Sequence, residues 1–405
     1  MLSLTSKQKE YWKGATRRWN VKCGATRSGK TYLDYYLLPR RIRAVAEKDG
    51  LIVILGNTKT TLQRNIIEPL QRIWGADLVS DIRSDNTAHL FGSKVHCIGA
   101  DKISQVDRLR GSSISYCYGD EVVTWHEDVF NMLKSRLDKP YSRFDGTCNP
   151  EYPSHWFKSF LDSDADIFQQ SYTIYDNDFL APQVVKALEQ EYRGTVFFDR
   201  YILGKWTLAE GLIYQEFADR ESDFYIEKKE DIPPLHYITV GVDFGGNKSN
   251  HAFVASGINR ALTDIYVLKA KSMPAKGVSV DRMIEAFTTF CAAIESEFGK
   301  VDIVFADSAE QAIINSMRAK TPYVIKNSIK NEIIDRIRCE NVLIGSGRLH
   351  LLKGSTEDLA AGLKDARWND KKMTDERLDD GTSDIDILDA FEYSWEYRMK
   401  QLLRG

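Results

Sequence analysis

The sequence predicts an α/β protein with two separate sheets, and three observations support this fold class. Short apolar segments alternate with amphipathic segments from residue 21 to residue 149, a pattern typical of a mostly parallel sheet. A glycine-containing turn lies between the first apolar segment and the first helical one, as in doubly wound folds. After a charged, proline-containing segment at 227–235 the alternation begins again, which indicates a second sheet.

The length of 405 residues exceeds what one hydrophobic core usually organises. We therefore expect a first domain at 1–210, a linker at 211–235 and a second domain at 236–405. The linker prediction depends on the run EKKEDIPPL at 227–235, where charged residues meet two prolines.

The first half supplies strands and helices in alternation. The run LIVILGN at 51–57 predicts a buried strand, and the segment 60–74 predicts an amphipathic helix. Further strands are predicted at 93–100 and 114–121, and a helical, aromatic-rich stretch from about 176 to 206.

The second half repeats the pattern. Strands are predicted at 237–245, 251–258 and 264–272, then a helix, then a strand at 301–309. Functional side chains of α/β proteins gather at the carboxyl ends of strands, so the ends of these segments are candidate positions for a site.

The composition excludes several classes of protein. Hydrophobic residues make up 43% of the chain, and no apolar run is long enough to span a membrane. The N-terminal residues are polar and lack the apolar core of a signal peptide. Six cysteines form no C-x-x-C pair, so we expect reduced thiols in a cytosolic compartment and no cysteine-ligated zinc. The formal net charge of −3 does not by itself indicate nucleic-acid binding.

Residues 24–31 read GATRSGKT, the complete pattern of a phosphate-binding loop. Its backbone N–H groups are expected to point at phosphate oxygens near the start of a helix. Lys30 would reach the β- and γ-phosphates, and the Thr31 hydroxyl would ligate Mg²⁺. The sequence therefore predicts a site for ATP with Mg²⁺. The predicted nucleotide-contacting residues of the loop are Gly24, Ala25, Thr26, Arg27, Ser28, Gly29, Lys30 and Thr31.

A strand that ends in Asp120-Glu121 supplies the acidic partners of such a loop. Asp120 is expected to hold the hydrated Mg²⁺, and Glu121 to orient or deprotonate the attacking water. An ordinary surface Asp-Glu pair is the alternative, which the upstream loop makes the weaker interpretation.

Several further residues have open roles. Arg27 either neutralises charge on the γ-phosphate or is simply solvated. Arg108 and Arg110 are either arginine fingers or salt-bridged arginines. Gln8 and Tyr11 precede the loop at a distance suited to holding adenine. Asn149, in TCNP, is either a γ-phosphate sensor or an Asn-Pro turn residue.

Acidic residues follow the strands of the second half. Asp243 and Asp307 each end an apolar strand, and Asp384, Asp386 and Asp389 lie near the C-terminus. Asp386 and Asp389 are three residues apart and would share a helical face. Converged carboxylates repel one another unless divalent cations lie between them, which is the basis of two-metal phosphodiester cleavage.

Helix caps are the alternative for each of these aspartates taken individually. The order of the three strand- and helix-associated positions favours a nuclease of the ribonuclease H kind. His251 and His350 are interpreted as ordinary polar residues.

In this order the motifs resemble those of tailed-phage terminase large subunits, which package DNA with an ATPase and cut it with a nuclease. The resemblance covers nearly the whole chain and is carried by GATRSGKT, YGDE, TCNP, LGKWTLAEGLIYQEF, VDFG, FADSAE and DILDAFEY. It implies an N-terminal P-loop ATPase with a mostly parallel sheet and a C-terminal ribonuclease H-like nuclease domain.

The resemblance also implies roles for residues. Asn149 would couple hydrolysis to movement, and Arg27 and Arg110 would be catalytic or finger arginines. The nuclease would use Mg²⁺ or Mn²⁺. Its metal ligands would be Asp243, Asp307 and Asp389, with Asp386 as a fourth.

The implied partners are double-stranded DNA, a portal protein, a small terminase subunit and the procapsid. The subunits are expected to form a ring during packaging, whereas the free chain is expected to be a monomer or a ring in solution. The expected location is the host cytoplasm and not the mature virion. Two rival functions remain: an ATP-dependent helicase or repair translocase with a non-catalytic second domain, and a nucleotide-gated binding module without turnover.

Overall fold

The computed structural model describes residues 4–105, 111–246, 249–381 and 383–404. The chain divides into two compact units. Unit 1 runs to Val185 and includes Phe197–Leu208, whereas unit 2 comprises Lys186–Val196 and continues from Ala209. None of the helices in the described part of the chain combines the length and apolarity that a membrane span requires.

Unit 1 is built on a seven-stranded sheet in the order β3-β4-β2-β5-β6-β1-β7. Neighbouring strands are parallel except for β3 and β4, which are antiparallel. The strands are β1 (Trp19–Gly24), β2 (Leu51–Gly56), β3 (Thr87–Leu90), β4 (Ser93–Gly99), β5 (Ile114–Gly119), β6 (Arg143–Cys148) and β7 (Ile167–Tyr172).

The helices of unit 1 begin where side chains satisfy free backbone N–H groups. Thr5 and Gln8 form a reciprocal cap at the start of the first helix. A π-helical turn at Gln63–Ile67 joins two short helices into one. The helices are α1 (Ser6–Gly14), α2 (Lys30–Val45), α3 (Lys59–Leu62), α4 (Glu68–Trp74), α5 (Glu127–Arg136), α6 (Trp156–Leu161) and, across the boundary between the units, α7 (Pro182–Tyr192) and α8 (Val196–Tyr201).

The sheet of unit 1 is covered on both faces. Val53 and Leu55 of β2 belong to one hydrophobic cluster, and Ile52 and Ile54 belong to another. A central parallel strand buried on both faces reads as a continuous apolar run, as LIVILG does. The strand predicted at 51–57 therefore agrees with β2.

Unit 2 contains a second seven-stranded sheet in the order β13-β12-β9-β10-β11-β14-β8. The β9–β10 and β10–β11 pairs are antiparallel and the other pairs are parallel. The strands are β8 (Tyr225–Ile226), β9 (Leu235–Asp243), β10 (Asn250–Asn259), β11 (Ile265–Pro274), β12 (Ile303–Ala306), β13 (Ile325–Asn327) and β14 (Leu349–Leu352).

Helices cover both faces of this second sheet. The helix α10, whose Phe287 and Phe290 pack on Phe253 of β10, covers one face. The helix α14 lies on the other face. The helices are α9 (Gln215–Asp219), α10 (Val280–Phe298), α11 (Gln311–Lys320), α12 (Ile333–Gly345), α13 (Glu357–Asp365), α14 (Ile385–Trp395) and α15 (Met399–Leu402).

The contact between α14 and the sheet is unusually close at Gly241. A Cβ atom on Gly241 would lie 1.8 Å from the carbonyl oxygen of Ala390. Beside it, the Thr239 hydroxyl donates to the Ser394 carbonyl at 2.6 Å, and the Ser256 and Ser394 hydroxyls are 2.7 Å apart. This packing fixes α14 against the strand that ends in Asp243.

The segment 211–235, predicted as a linker, carries regular structure in unit 2. It contains α9 and β8, and β8 pairs with β14 at the edge of the second sheet. Phe217 and Phe224 are buried and pack on each other at a ring distance of 5.1 Å. The domain boundaries at 210 and 235 stay a prediction.

We expect Gly241→Ala to lower the free energy of unfolding of unit 2 by about 1–3 kcal/mol, because the added methyl group would overlap the Ala390 carbonyl. Urea and thermal unfolding of the full chain measure the change. Gly246→Ala is the control, since a Cβ atom there meets nothing within 4 Å. Equal stability of the two variants would contradict the close approach described here.

Candidate functional site

The predicted phosphate-binding loop lies between β1 and α2 of unit 1. Gly24 has a φ of +146°, and a Cβ atom there would lie 2.0 Å from the Tyr172 carbonyl oxygen. The same carbonyl accepts a hydrogen bond from the N–H of Ala25 at 2.8 Å. Only glycine fits this position, because the strand β7 passes directly beside it.

Lys30 lies across the loop and is almost fully buried. Its ammonium donates to the carbonyls of Gly24 at 2.8 Å and Ala25 at 2.5 Å, and to Asn149 Oδ1 at 3.1 Å. Burial lowers the pKa of Lys30 to about 8. The predicted phosphate-binding lysine and the predicted coupling asparagine are therefore in direct contact.

Asp120 and Glu121 lie at the carboxyl end of β5. The Thr147 hydroxyl donates to Asp120 Oδ1 at 3.2 Å and accepts from the N–H of Glu121 at 3.3 Å. Burial, and then the neighbouring charge of Glu121, raises the pKa of Asp120 to about 7. Asp120 is thus a carboxylate in an environment that favours a counter-ion, such as a divalent cation.

Asn65 is a residue of this site that sequence reasoning missed. It lies in the π-helical turn, and its side chain is hydrogen-bonded to the Asp120 carboxylate. Tyr35 of α2 donates to the Asn65 carbonyl at 2.8 Å. A π-turn is frequent at functional sites, but the sequence gives no pattern that predicts one.

Of the two residues predicted to hold adenine, Gln8 lies at the loop and Tyr11 does not. Gln8 Nε2 donates to the Gly29 carbonyl at 2.9 Å. Tyr11 is fully buried, with its ring 4.1 Å from the Lys22 ammonium. The stacking role predicted for Tyr11 is therefore wrong. Gln8 and Tyr11 are three residues apart on one face of α1, and that face packs into unit 1.

A cavity of about 290 Å³ opens beside the loop. Two aromatic side chains on its wall, Tyr32 and Phe179, are 41% and 61% exposed. Gln8, Gly29 and Asn177 complete the lining, and Asn177 Nδ2 donates to the Arg27 carbonyl at 2.7 Å. Exposed aromatic rings beside amide groups suit a purine base, so this cavity replaces Tyr11 as the candidate base site.

The other loop residues have distinct environments. Thr26 donates from its N–H to the Tyr201 carbonyl at 3.1 Å, and the buried Ser28 hydroxyl donates to the Ala25 carbonyl at 2.8 Å. Arg27 is exposed, with a φ of +54°, and Thr31 is partly buried. Arg108 and Arg110 lie outside the described residues.

Residues 201–204, which overlap the start of the run LGKWTLAEGLIYQEF, also pack on the loop, and the sequence did not reveal this contact. Gly204 has a φ of +69°, and a Cβ atom there would lie 3.0 Å from Gly24 Cα and 2.2 Å from the Tyr172 carbonyl oxygen. The N–H of Ile174 donates to the Ile202 carbonyl at 2.9 Å. Residues 201–204 therefore form one wall of the loop. In the sequence, Gly204 was the residue that could have indicated this close contact.

The second candidate site lies at the carboxyl ends of β9 and β12 in unit 2. Asp243 ends β9 and is nearly fully buried. Burial, and then the charges of Asp389, Asp307 and Asp386, raises the pKa of Asp243 well above its usual range. The N–H of Asn250 donates to Asp386 Oδ2 at 2.5 Å. The four predicted carboxylates therefore share one electrostatic neighbourhood.

Basic side chains lie directly beside these carboxylates. Lys330 forms an ion pair with Asp307. Arg377 forms an ion pair with Asp389, and Arg336 Nη1 lies 3.6 Å from the same carboxylate. Lys330 and Arg336 belong to the basic region at 326–338, which the sequence offers either as a phosphate-binding surface or as an ordinary solvated face. No sequence motif contains Arg377.

The donor chemistry fits Mg²⁺ or Mn²⁺, because carboxylate oxygens are the ligands these hard cations prefer. Within the described ranges, however, no set of three His, Cys, Asp or Glu side chains is converged on one point. Coulomb interactions act over longer distances than metal ligation. The raised pKa of Asp243 therefore indicates that the other carboxylates are near it, but not that the four are arranged as metal ligands. The metal-ligand roles of Asp243, Asp307, Asp386 and Asp389 stay a prediction.

Asp384, His350 and His251, which the sequence analysis also considered, have separate environments. Asp384 caps α14 by accepting from the N–H of Ile387 at 3.2 Å, as the capping alternative predicted. His350 stacks on Tyr266 and contacts Asp264 at 3.3 Å. His251 is buried, and its Nδ1 atom has no hydrogen-bond partner among the described residues.

Residues 23–218 match the protein family described as "Terminase large subunit, T4likevirus-type, N-terminal". This segment is therefore similar to the N-terminal part of large terminases. The resemblance predicted from the ordered motifs is confirmed. No curated protein sequence matches the chain.

Solved terminase structures share the fold over the whole chain. The large terminase of a thermophilic bacteriophage, in one crystal form, is 24% identical, with a TM-score of 0.80 over 97% of this chain and 98% of that one. The complex of that phage terminase with ADP is 24% identical, with a TM-score of 0.77 over 96% and 98%. Its complex with ATP-γ-S is 23% identical, with a TM-score of 0.77 over 97% and 99%. The predicted two-domain α/β fold class is confirmed.

We expect Phe179→Ala to weaken binding of a fluorescent ADP analogue about tenfold, because stacking of a base on an aromatic ring is worth about 1–3 kcal/mol. Titration of the full chain followed by anisotropy measures the affinity. Leu78→Ala is the control, since Leu78 is also an exposed apolar residue of unit 1, at 42%, and does not line the cavity. Equal affinities of the two variants would exclude the cavity as the base site.

Proposed function

We propose that this protein is a viral DNA-packaging terminase with two active sites. Unit 1 hydrolyses ATP to drive double-stranded DNA into a procapsid, and unit 2 cuts concatemeric DNA at initiation and termination. The observation that supports this most directly is the presence, in one chain, of a nucleotide loop within the segment that matches the large-terminase model and of a separate group of four carboxylates in unit 2. Two of these carboxylates lie at strand ends of the second sheet and two lie on α14.

In unit 1 the loop from Gly24 to Thr31 binds the phosphates of ATP through backbone N–H groups. Lys30 is already held at the loop and exchanges its carbonyl contacts for phosphate oxygens. The Thr31 hydroxyl and Asp120 would hold Mg²⁺, which would neutralise phosphate charge when bound. Glu121, next to Asp120, removes a proton from the attacking water.

Two further residues respond to the γ-phosphate. Arg27 is exposed on the loop and is free to contact phosphate charge in its own or a neighbouring subunit. Asn149 contacts Lys30 at 3.1 Å, so any movement of the lysine towards phosphate changes the environment of Asn149. This contact supports a role for Asn149 in coupling hydrolysis to movement.

In unit 2 the carboxylates of Asp243, Asp307 and Asp389, with Asp386, bind Mg²⁺ or Mn²⁺. These cations, when bound, activate a water molecule and stabilise charge on the leaving oxygen. Asp243, at the end of β9, is the most buried of the four carboxylates and lies under α14, which carries Asp386 and Asp389. The close packing at Gly241 keeps Asp386 and Asp389 on α14 near the end of β9.

The proposed partners are double-stranded DNA, a portal protein, a small terminase subunit and the procapsid. We propose that subunits form a ring during packaging and act in the cytoplasm of the infected bacterium. The rival function, a helicase or repair translocase with a non-catalytic second domain, differs in one testable respect. It leaves unit 2 without metal-dependent cutting.

We expect the full chain to cut plasmid DNA in the presence of Mn²⁺ and Asp243→Ala to cut at least about 100-fold more slowly, because a central ligand of the divalent cations is lost. Gel analysis of nicked and linear plasmid measures the rate. Asp281→Asn is the control, since Asp281 is a highly exposed aspartate of the same unit. Equal cutting by wild type and Asp243→Ala would remove the nuclease and favour the rival.

We expect Glu121→Gln to lower ATP turnover about 100-fold or more while ADP binding is retained, because the amide cannot accept the proton of the attacking water. Phosphate release and ADP titration measure the two properties. Glu127→Gln is the control, since Glu127 is an exposed residue in the first turn of α5. Unchanged phosphate release from Glu121→Gln would favour a binding module without turnover.

A further inference from the structure

A tight turn at residues 328–331 follows β13 and lies beside the second candidate site. The N–H of Ser328 donates to the carbonyl of Ala306, the residue before Asp307, at 2.8 Å. This hydrogen bond continues the pairing of β12 and β13, so the turn begins next to Asp307.

A single buried carboxylate holds the turn. Glu396 accepts hydrogen bonds from the N–H groups of Ile329, Lys330 and Asn331 at 2.8, 2.9 and 3.1 Å. It also accepts one from Asn331 Nδ2 at 3.2 Å. Four donors on one carboxylate, which is only 2% exposed, fix the backbone of three consecutive residues.

Lys330 has a left-handed backbone within this clamped turn. Its φ is +56°, a conformation that non-glycine residues adopt rarely and at a cost. Its ammonium forms the ion pair with Asp307. The hydrogen bonds to Glu396 therefore stabilise the unfavourable conformation that directs the lysine to the carboxylate.

The turn also contains a buried hydroxyl group without a hydrogen-bond partner. Ser328 is 7% exposed, and its hydroxyl has no hydrogen-bond partner among the described residues. A buried hydroxyl usually has a partner. A ligand that carries hydrogen-bond acceptors and reaches Asp307 would supply one.

Lys330 differs from the other cations beside the carboxylates. The side chains of Arg336 and Arg377 are 5% and 4% exposed, and both are bound to Glu392. The Lys330 side chain is 39% exposed. Among these three described cations, Lys330 alone is open to a ligand arriving from solvent.

A phosphodiester that approaches four carboxylates is repelled by them. An accessible cation next to Asp307 reduces that repulsion and binds a phosphate oxygen directly. We propose that Lys330 binds a DNA phosphate at the second site and that Glu396 is the residue that positions it. This inference rests on the proposed nuclease function and adds substrate-contacting and positioning residues to it.

The test uses the full chain and a short fluorescein-labelled DNA duplex in Ca²⁺ over a series of salt concentrations. Lys330→Ala weakens binding about tenfold, the scale of a lost charge-assisted hydrogen bond. It also lowers the slope of log affinity against log salt by about 0.9, because one phosphate contact is lost. Lys330→Arg keeps most of the duplex affinity and most of the salt slope of wild type. Lys320→Ala, which removes a lysine paired with Asp281 at the surface, changes neither.

The role of Glu396 is tested by a double-mutant cycle. Glu396→Gln weakens duplex binding because it loosens the turn, and it adds little further loss in the Lys330→Ala background. A thermal unfolding midpoint close to that of wild type shows that unit 2 is intact. Equal losses in both backgrounds overturn the positioning role.

Two results overturn the role of Lys330. One is unchanged duplex affinity and salt slope in Lys330→Ala. The other is tighter Mn²⁺ binding by Lys330→Ala in calorimetry with unchanged duplex binding, which makes the lysine a competitor of the cation at Asp307. Failure of the nuclease proposal is distinct, because it appears as equal plasmid cutting by wild type and Asp243→Ala.

Discussion

Charge that is removed from water must be compensated within the protein, and both candidate sites are organised by this requirement. In unit 1 the nearly buried Lys30 is satisfied by loop carbonyls and Asn149. Behind the loop, Lys22 pairs with Asp34 at 2.6 Å, and both are almost inaccessible. In unit 2 the buried carboxylate of Glu392 pairs with Arg336 and Arg377, which are almost as inaccessible. Because breaking one partner of such a pair is far more costly than the pair is stabilising, these residues constrain one another.

Residues that form a contiguous motif or directly follow an apolar strand could be predicted, whereas those identified only by their tertiary contacts could not. The loop from Gly24 to Thr31 is contiguous, and its pattern specified both the turn and the position of Lys30. Asp243 and Asp307 were predicted because each follows an apolar strand. Lys330 lies in the basic region at 326–338, but that region does not specify Asp307 as its partner, and Arg377 belongs to no motif. Asn65 depends on a π-turn, whose extra residue changes which side chains face the site.

The fold shows the same division. Central strands such as β2 and β9 are long, apolar runs, and their predicted positions agree with the structure. Edge strands such as β7, IFQQSY, are half-exposed and mix polar with apolar residues, so their pattern does not stand out from a loop. Two-residue β8 exists only through its pairing with β14, and a linker was predicted in its place because local composition does not encode that pairing.

The wall formed by residues 201–204 has a mechanical consequence for the nucleotide loop. Gly204 touches the loop backbone at Gly24, and Thr26 is hydrogen-bonded to the Tyr201 carbonyl. A shift of the loop on exchange of ATP for ADP would therefore either break these contacts or move the wall with it. No side chain lies between the two backbones at Gly24 and Gly204. If the contacts stay intact, a small displacement of the loop is therefore transmitted to the polypeptide immediately downstream of Gly204.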